Sequence, residues 1–142
     1  MRLGIFGGTF DPVHMGHLTV AEFFVESSPV DRVLFVPAGQ PWFKTGQIVT
    51  DGHHRLEMVK LAIADNPHFE ASDVELRRDG PTYTIDTLTA LRETMGDGIE
   101  FTVIVGIDAL NELHRWHQPH SVLDMAKVVG VSRPSVTELH RA

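Results

Sequence analysis

The chain has 142 residues, with 12 basic against 19 acidic side chains and a formal net charge of −7. Since a surface that follows nucleic-acid phosphates needs clustered Lys and Arg, this balance argues against nucleic acid as a partner. The sequence has no cysteine, which excludes disulfides and thiolate metal sites. It has no secretory start and no apolar run near the ~18 residues of a membrane span, so we expect one cytoplasmic domain without membrane contact.

Short apolar runs alternate with amphipathic stretches along the chain. The apolar runs predict buried strands over 3–6, 32–36, 69–76, 101–105 and 128–131. Apolar residues at helical spacing predict helices over 16–26, 51–64, 84–95, 108–113 and 121–126. The expected N-caps of the later helices are Thr50 or Asp51, Thr82 or Thr84, Asp108 and Ser121.

The alternation of strands and helices predicts an α/β fold. We expect a Rossmann-like, doubly wound parallel sheet with right-handed crossovers and helices on both faces, in three α/β/α layers. Sheets of this kind bind ligands at the carboxyl ends of their strands. Unusual residues follow four predicted strands, in the segments 7–17, 37–44, 77–84 and 106–116. Their convergence predicts a single active site.

The first of these segments combines glycines with a histidine pair. Gly7 and Gly8 let the main chain approach a ligand closely, and the following helix start favours an anion. Neither G-x-G-x-x-G nor G-K-[ST] occurs there. His14 and His17, separated by Gly16, face one side of the helix, where each ring can donate to a phosphate oxygen and protonation would strengthen that bond. Surface histidines on a helix cap and a metal pair are the alternatives.

The segment 8–17 also carries a resemblance. Gly-Thr-Phe-Asp-Pro-Val-His-Met-Gly-His matches the signature of the nucleotidylyltransferase superfamily, whose T/H-x-G-H core here reads His14-Met15-Gly16-His17. Further matching segments narrow the resemblance from the superfamily to one family within it. They lie at 36–41, 54–58, 80–88, 106–110, Trp116 and 131–134. Over essentially the whole chain, the sequence resembles the bacterial nicotinate mononucleotide adenylyltransferase family.

The resemblance implies a site for ATP and a site for nicotinate mononucleotide. The residues implied in catalysis are His14, His17 and Lys44. Those expected at ATP are Gly7, Gly8, Thr9, Phe10, His14, Gly16, His17, Gly106 and Asp108. Those expected at nicotinate mononucleotide are Thr82, Tyr83, Thr84, Trp116 and Arg133.

Several of these residues have a simpler interpretation. Thr84 and Asp108 can be helix caps only, and Trp116 can serve packing alone. Arg55 is interpreted as a solvated helix residue. The aromatic pair Trp42 and Phe43 suits a lid or a contact surface in a long loop.

The implied activity is transfer of AMP from ATP to nicotinate mononucleotide, giving deamido-NAD and pyrophosphate, with Mg²⁺ on the phosphates. ATP and nicotinate mononucleotide are the expected small-molecule partners. The sequence is compatible with a homo-oligomer and does not determine the oligomeric state. Other acceptors remain alternatives within the enzyme class: nicotinamide mononucleotide, or a pantetheine or glycerol phosphate. A nucleotide-binding module without catalysis and a zinc-retaining structural protein are the alternatives outside it.

The sequence departs from the family pattern at two places. Where the family has Pro-Pro-His-Lys, this chain has Pro41-Trp42-Phe43-Lys44, so only the lysine is carried over. The Ser-x-Thr-x-x-Arg motif, which helps hold the triphosphate in the family, does not occur. We therefore expect residues 1–142 to be a single nucleotidylyltransferase domain that lacks its C-terminal portion.

Overall fold

The computed structural model describes residues 1–27, 29–39, 50–78, 80 and 83–132, and the main chain of 139–141. The strands are β1 (Arg2–Gly8), β2 (Arg32–Pro37), β3 (Phe69–Ala71), β4 (Glu100–Gly106), β5 (Ala126–Val131) and β6 (Leu139–Arg141). The helices are α1 (Met15–Glu26), α2 (Gly52–Ile63), α3 (Thr84–Met95), α4 (Ile107–Asn111) and α5 (Pro119–Met125), with a 3-10 turn at Leu113–Arg115. The longest described helices have 12 residues, and none has the length and apolarity to cross a membrane.

The strands form one sheet in the order β3-β2-β1-β4-β5-β6. β1 to β5 are parallel, and β6 pairs with β5 in the antiparallel direction. β2 and β3 are added successively on one side of β1, and the chain then crosses to the other side of β1, where β4 pairs with it. This reversal places a crevice between the carboxyl ends of β1 and β4, where doubly wound sheets bind their ligands. The predicted Rossmann-like fold is confirmed.

The sheet is covered on both faces. On one face α1 and α2 pack Val20, Phe24 and Val59 against Phe35 and neighbouring strand residues. On the other face a second cluster buries apolar residues of α3, α4 and α5: Ile85, Leu88, Leu91, Leu110 and Val122. Because neighbouring strand residues point to opposite faces, each central strand feeds both clusters and needs a nearly continuous apolar run.

Two predicted strand assignments differ from the structure. The strand expected over 69–76 ends at Ala71, because the N–H groups of Leu76 and Arg77 bond to the Asp73 carbonyl (2.9 and 3.1 Å) and form a turn. The apolar signal there comes from Val74, which the turn buries (4% exposed). The antiparallel β6 was not predicted.

Three predicted caps are also wrong. The N-cap of α3 is Tyr83, so Thr84 is the first helical residue rather than the cap. The N-cap of α4 is Gly106, which places Asp108 inside the first turn. α5 begins at Pro119, whose fixed φ suits a first helical position, so Ser121 lies within the helix. Asp51 does cap α2, since its carboxylate accepts the His53 N–H at 3.2 Å.

Candidate functional site

The glycines that follow β1 and β4 lie at the reversal point of the sheet. Gly7 and Gly8 end β1, and Gly106 ends β4 on the neighbouring strand. Among the described residues, a Cβ added at Gly106 would meet nothing within 4 Å, and one at Gly7 would approach only the Val36 carbonyl at 3.9 Å. Packing within this part of the chain therefore does not require glycine at either position.

The histidine pair forms the beginning of α1. His14 is the N-cap, and its Nδ1 accepts the Gly16 N–H at 3.1 Å. His17 Nδ1 accepts the main-chain N–H of His14 at 3.0 Å, so the two side chains form a reciprocal capping box. The rings stack with centroids 3.8 Å apart and planes 24° apart. The cap interpretation and the phosphate interpretation thus apply to the same two rings.

These bonds decide which ring nitrogen can act on a ligand. A nitrogen that accepts a hydrogen bond carries no proton, so in both neutral rings the proton lies on Nε2. Nε2 is therefore the donor nitrogen of each neutral ring, and both rings have the same tautomer. These capping bonds belong to the neutral rings, since an imidazolium has an N–H on both nitrogens and cannot accept at Nδ1. That protonation would strengthen phosphate binding stays a prediction.

Gly16 makes the stacked arrangement possible. A Cβ at this position would lie 3.0 Å from Cε1 and 3.1 Å from Nδ1 of His14. Such contacts are tighter than normal packing, so with any larger residue the His14 ring must shift by a few tenths of an ångström. The structure thus gives a steric reason for glycine between the two histidines.

Phe10 lies behind the histidines rather than in the crevice. Its side chain is 2% exposed, and its ring meets the His17 ring edge to face at 4.8 Å. Its φ is 49°, a left-handed conformation that is unfavourable for a bulky residue. Any contact of Phe10 with ATP would therefore come from its main chain, and the strained backbone must be held by neighbouring bonds.

Arg55 was expected to be solvated, and this expectation is wrong. The side chain is 2% exposed and donates to three main-chain carbonyls: Thr50 at 2.7 Å from Nε, and Thr9 and Ala38 at 2.8 Å each from one terminal nitrogen. Burial lowers the pKa of Arg55, while the carboxylates of Asp11 and Asp51 act in the opposite direction. A signal was present in the sequence, because Arg55 stands four and eight residues before the apolar Val59 and Ile63.

A second group of residues gathers at the start of α3. Tyr83 is 39% exposed, and its ring stacks on His117 with centroids 4.6 Å apart and planes 27° apart. Thr84 is half-buried in the first turn. Behind them, the buried Thr87 hydroxyl donates to Glu75 at 2.8 Å and fixes α3 to the turn after β3. Sequence reasoning missed His117, which carries no motif of its own.

Trp116 is held in place by a hydrogen bond. Its indole N–H donates to the carbonyl of Ala109 in α4 at 3.2 Å, and its ring packs against the second apolar cluster. Since His117 follows Trp116 directly and contacts Tyr83, the structure brings the starts of α3 and α5 together. Tyr83 thus contacts the residue that follows Trp116 in the chain. Asp108, in the first turn of α4, is exposed.

Some expected site residues fall outside the described part of the chain. These are Lys44, Thr82 and Arg133, together with the aromatic pair Trp42 and Phe43. Within the described residues, no group of three or more His, Asp or Glu side chains is arranged to hold a metal ion.

Comparison with known proteins gives a consistent result. The model of the family described as cytidylyltransferase-like matches residues 5–142. Over 135 residues the chain is 49% identical to the probable nicotinate-nucleotide adenylyltransferase of Thermomicrobium roseum, covering 95% of this chain and 63% of the relative. Over 144 residues it is 40% identical to that of Dehalococcoides mccartyi, covering 98% of this chain and 71% of the relative. The chain thus spans roughly two thirds of the length of these relatives.

Solved structures share the fold at low sequence identity. The nicotinic acid mononucleotide adenylyltransferase of Plasmodium falciparum complexed with APC superposes with a TM-score of 0.76 at 19% identity, over 96% of this chain and 66% of that one. The same enzyme complexed with NaAD gives a TM-score of 0.77 at 19% identity, over 96% and 67% of the two chains.

Proposed function

Since the chain belongs to the cytidylyltransferase-like family and, within it, to the nicotinate-nucleotide adenylyltransferases, we propose that it transfers AMP from ATP to nicotinate mononucleotide. The products would be deamido-NAD and pyrophosphate, in the biosynthesis of NAD. The observation that carries this proposal is the orientation of His14 and His17. Their reciprocal capping bonds use Nδ1 of each ring, so Nε2 is the donor nitrogen of each neutral ring at the beginning of α1, which follows the carboxyl end of β1.

The proposed chemistry needs alignment and charge stabilisation rather than a nucleophilic side chain. A phosphate oxygen of nicotinate mononucleotide is already ionised near neutral pH and attacks the α-phosphorus of ATP in line. The new P–O bond forms as the bond to the β-phosphate oxygen breaks, and pyrophosphate leaves with that electron pair. Preorganised donors near the oxygens that gain charge lower the barrier without needing to reorganise during the reaction.

We assign the donors to the residues at the crevice. His14 and His17 would bind phosphate oxygens, with His17 facing the transition state, and Lys44 would neutralise charge. Mg²⁺ would bind together with ATP, through its phosphate oxygens. At nucleotide sites this ion usually keeps several water ligands and has only one or two carboxylate ligands from the protein. Among the described residues, the main chain around Gly7 and Gly106 leaves room for the nucleotide.

The acceptor would bind at the start of α3. The first N–H groups of a helix favour a carboxylate, which suits the nicotinate group near Tyr83 and Thr84. Trp116 would present an aromatic face to the pyridine ring, held by its bond to Ala109. Thr82 and Arg133 are proposed as further contacts to the same nucleotide.

Pyrophosphate release with ATP and a series of acceptors tests this proposal. We expect turnover with nicotinate mononucleotide, weaker turnover with nicotinamide mononucleotide, and none with pantetheine phosphate or glycerol phosphate. A titration with Mg·ATP on the same sample separates binding from catalysis. Tight ATP binding without turnover on any acceptor would favour a nucleotide-binding module instead, and zinc retained after chelator dialysis would favour a metal-binding role.

A further inference from the structure

One side chain joins three segments below the crevice. Arg55 bonds to Thr9 in the loop after β1, to Ala38 after β2, and to Thr50 before α2. Two further bonds tie the same segments, since the Ala38 N–H donates to Gly8 at 2.8 Å and the Thr50 N–H donates to Asp11 at 2.9 Å. Arg55 is therefore the centre of a hydrogen-bond network that holds the beginning of the loop over residues 9–14.

A buried cation in this place is a costly way to fill space. Removing a guanidinium from water costs several kcal/mol unless its donors are satisfied, whereas an apolar side chain of similar length would carry no such cost. The carbonyls at Thr9, Ala38 and Thr50 satisfy three of the five N–H donors, those on Nε and on one terminal nitrogen. What the position supplies is thus a set of hydrogen-bond donors aimed at carbonyl oxygens, not volume alone.

The bond to Thr9 fixes the direction of a peptide group. The Thr9–Phe10 bond is trans, so the Phe10 N–H points opposite to the Thr9 carbonyl and away from the guanidinium. In the described part of the chain, no hydrogen bond uses this N–H. Phe10 also has the left-handed φ of 49°, a conformation that persists only when surrounding bonds hold it.

We propose that Arg55 is a positioning residue, which holds the Thr9–Phe10 peptide so that the Phe10 N–H faces the crevice and donates to the triphosphate of ATP beside His14 and His17. The inference rests on the proposed function, because it takes ATP as the anion. Arg55 touches no substrate itself. Its effect on ATP passes through the carbonyl of Thr9.

Binding titrations on four variants test this role. Arg55→Ala removes all the donors, and Arg55→Lys keeps the charge but replaces the planar fork with a single ammonium group. Arg92→Ala is the matched control, because Arg92 also lies on a helix and donates to the carbonyls of Gly96 and Ile99, at 3.0 and 2.6 Å, but at the amino ends of the strands. His68→Ala controls for an exposed surface change. Dissociation constants for Mg·ATP and for nicotinate mononucleotide are measured separately, with melting temperatures.

We expect Arg55→Ala to weaken Mg·ATP binding by about 10-fold or more, the range lost with one hydrogen bond to a charged group, and nicotinate mononucleotide binding by less than about twofold. Guanidinium chloride, at concentrations far below those that unfold the protein, should restore ATP binding, and equal sodium chloride should not. Arg55→Lys should show a smaller loss of the same kind, and Arg92→Ala a lower melting temperature with unchanged ATP binding.

Three results would overturn the inference: unchanged ATP binding in Arg55→Ala, equal losses for both ligands without guanidinium rescue, or an Arg92→Ala variant that loses ATP to the same extent. If Arg55→Ala does not fold, the test uses Arg55→Lys instead. A loss of Mg·ATP affinity larger than the loss of nicotinate mononucleotide affinity then supports the inference, and equal losses contradict it. A wild-type protein that binds Mg·ATP but releases no pyrophosphate with any acceptor would refute the proposed function and leave the Arg55 comparison intact.

Discussion

The two ends of the strands use arginine in different ways. At the amino ends, the main-chain N–H and the guanidinium of Arg2 both donate to Asp31, at 2.8 and 3.0 Å, and the Asp31 N–H returns a bond to Arg2 at 2.8 Å. At the carboxyl ends, Arg55 donates to the carbonyls of Thr9, Ala38 and Thr50 and is buried. Arg2 and Asp31 bond to each other at the surface. Arg55, in the role we propose, instead orients the Thr9–Phe10 peptide group toward the crevice.

The histidines show the same contrast. His68, just before β3 at the amino ends, is exposed. His14 and His17, just after β1, use one ring nitrogen each for the helix cap. The cap bonds stabilise the fold and at the same time select the tautomer and the direction of the other nitrogen. At one end of the sheet, the proposed ligand-binding histidines are therefore also cap residues, whereas the histidine at the other end is an exposed surface residue.

The largest effect is expected for His17→Ala. Losing one donor to the charge that develops in the transition state should lower turnover by about 10² or more. His68→Ala, at the amino ends, should leave turnover unchanged. Steady-state pyrophosphate release measures both variants, and near-normal turnover in His17→Ala would contradict the assignment.

Gly16→Ala should separate activity from stability. The new Cβ, 3.0 Å from the His14 ring, displaces that ring, and a shift of this size should lower turnover by about 10-fold. Thermal stability should change little, because the lost cap bond (about 1 kcal/mol) is offset by the better helix propensity of Ala over Gly (about 1 kcal/mol). Turnover and melting temperature are measured on the same sample.

Gly98→Ala is the matched control for this change. Gly98 precedes β4 at the amino ends, and a Cβ there would meet no atom of the described residues within 4 Å. Its turnover should equal that of the wild-type protein. Equal activity in Gly16→Ala and Gly98→Ala would mean that the position of the His14 ring has no part in the reaction.

Trp116→Ala should affect the acceptor more than ATP. Loss of an aromatic face against a ring costs about 1–3 kcal/mol, so the KM of nicotinate mononucleotide should rise about 10-fold while the KM of ATP changes little. Trp116→Phe keeps an aromatic face but loses the bond to Ala109, and its effect should be intermediate. Equal increases for both substrates would argue for a packing role only.

The smallest effect is expected for Asp31→Asn. Hydrogen bonds from the main chain and then the side chain of Arg2 lower the pKa of Asp31, so the carboxylate stabilises the fold above its unfolded pKa. This contribution disappears as the pH falls through the lowered folded pKa. The variant should therefore melt slightly below the wild type at pH 7 and together with it in strong acid, with turnover unchanged.

Asp97→Asn provides the comparison for charge alone, since Asp97 lies exposed in the turn before β4. A pH-independent difference between Asp31→Asn and the wild type would mean that the bonds to Arg2 do not survive in solution.

Much of the fold and of the phosphate end was predictable because it depends on neighbours in sequence. Helical spacing placed Leu56, Val59 and Ile63 inward, and the run from Gly8 to His17 marked the histidine pair. Caps and short strands were less predictable, since a proline before Ser121 and a turn at Asp73 changed where the elements begin and end.

The sequence by itself determined the layered α/β architecture, the family and the two histidines, because periodicity and a contiguous motif act over a few residues. Only the tertiary structure decided that Arg55 is buried and that His117 lies on Tyr83. The bond from Arg55 to Thr9 spans 46 positions, and nothing in either local segment specifies the other. Such pairs form only when the sheet has brought the ends of its strands together, so local sequence patterns do not predict them.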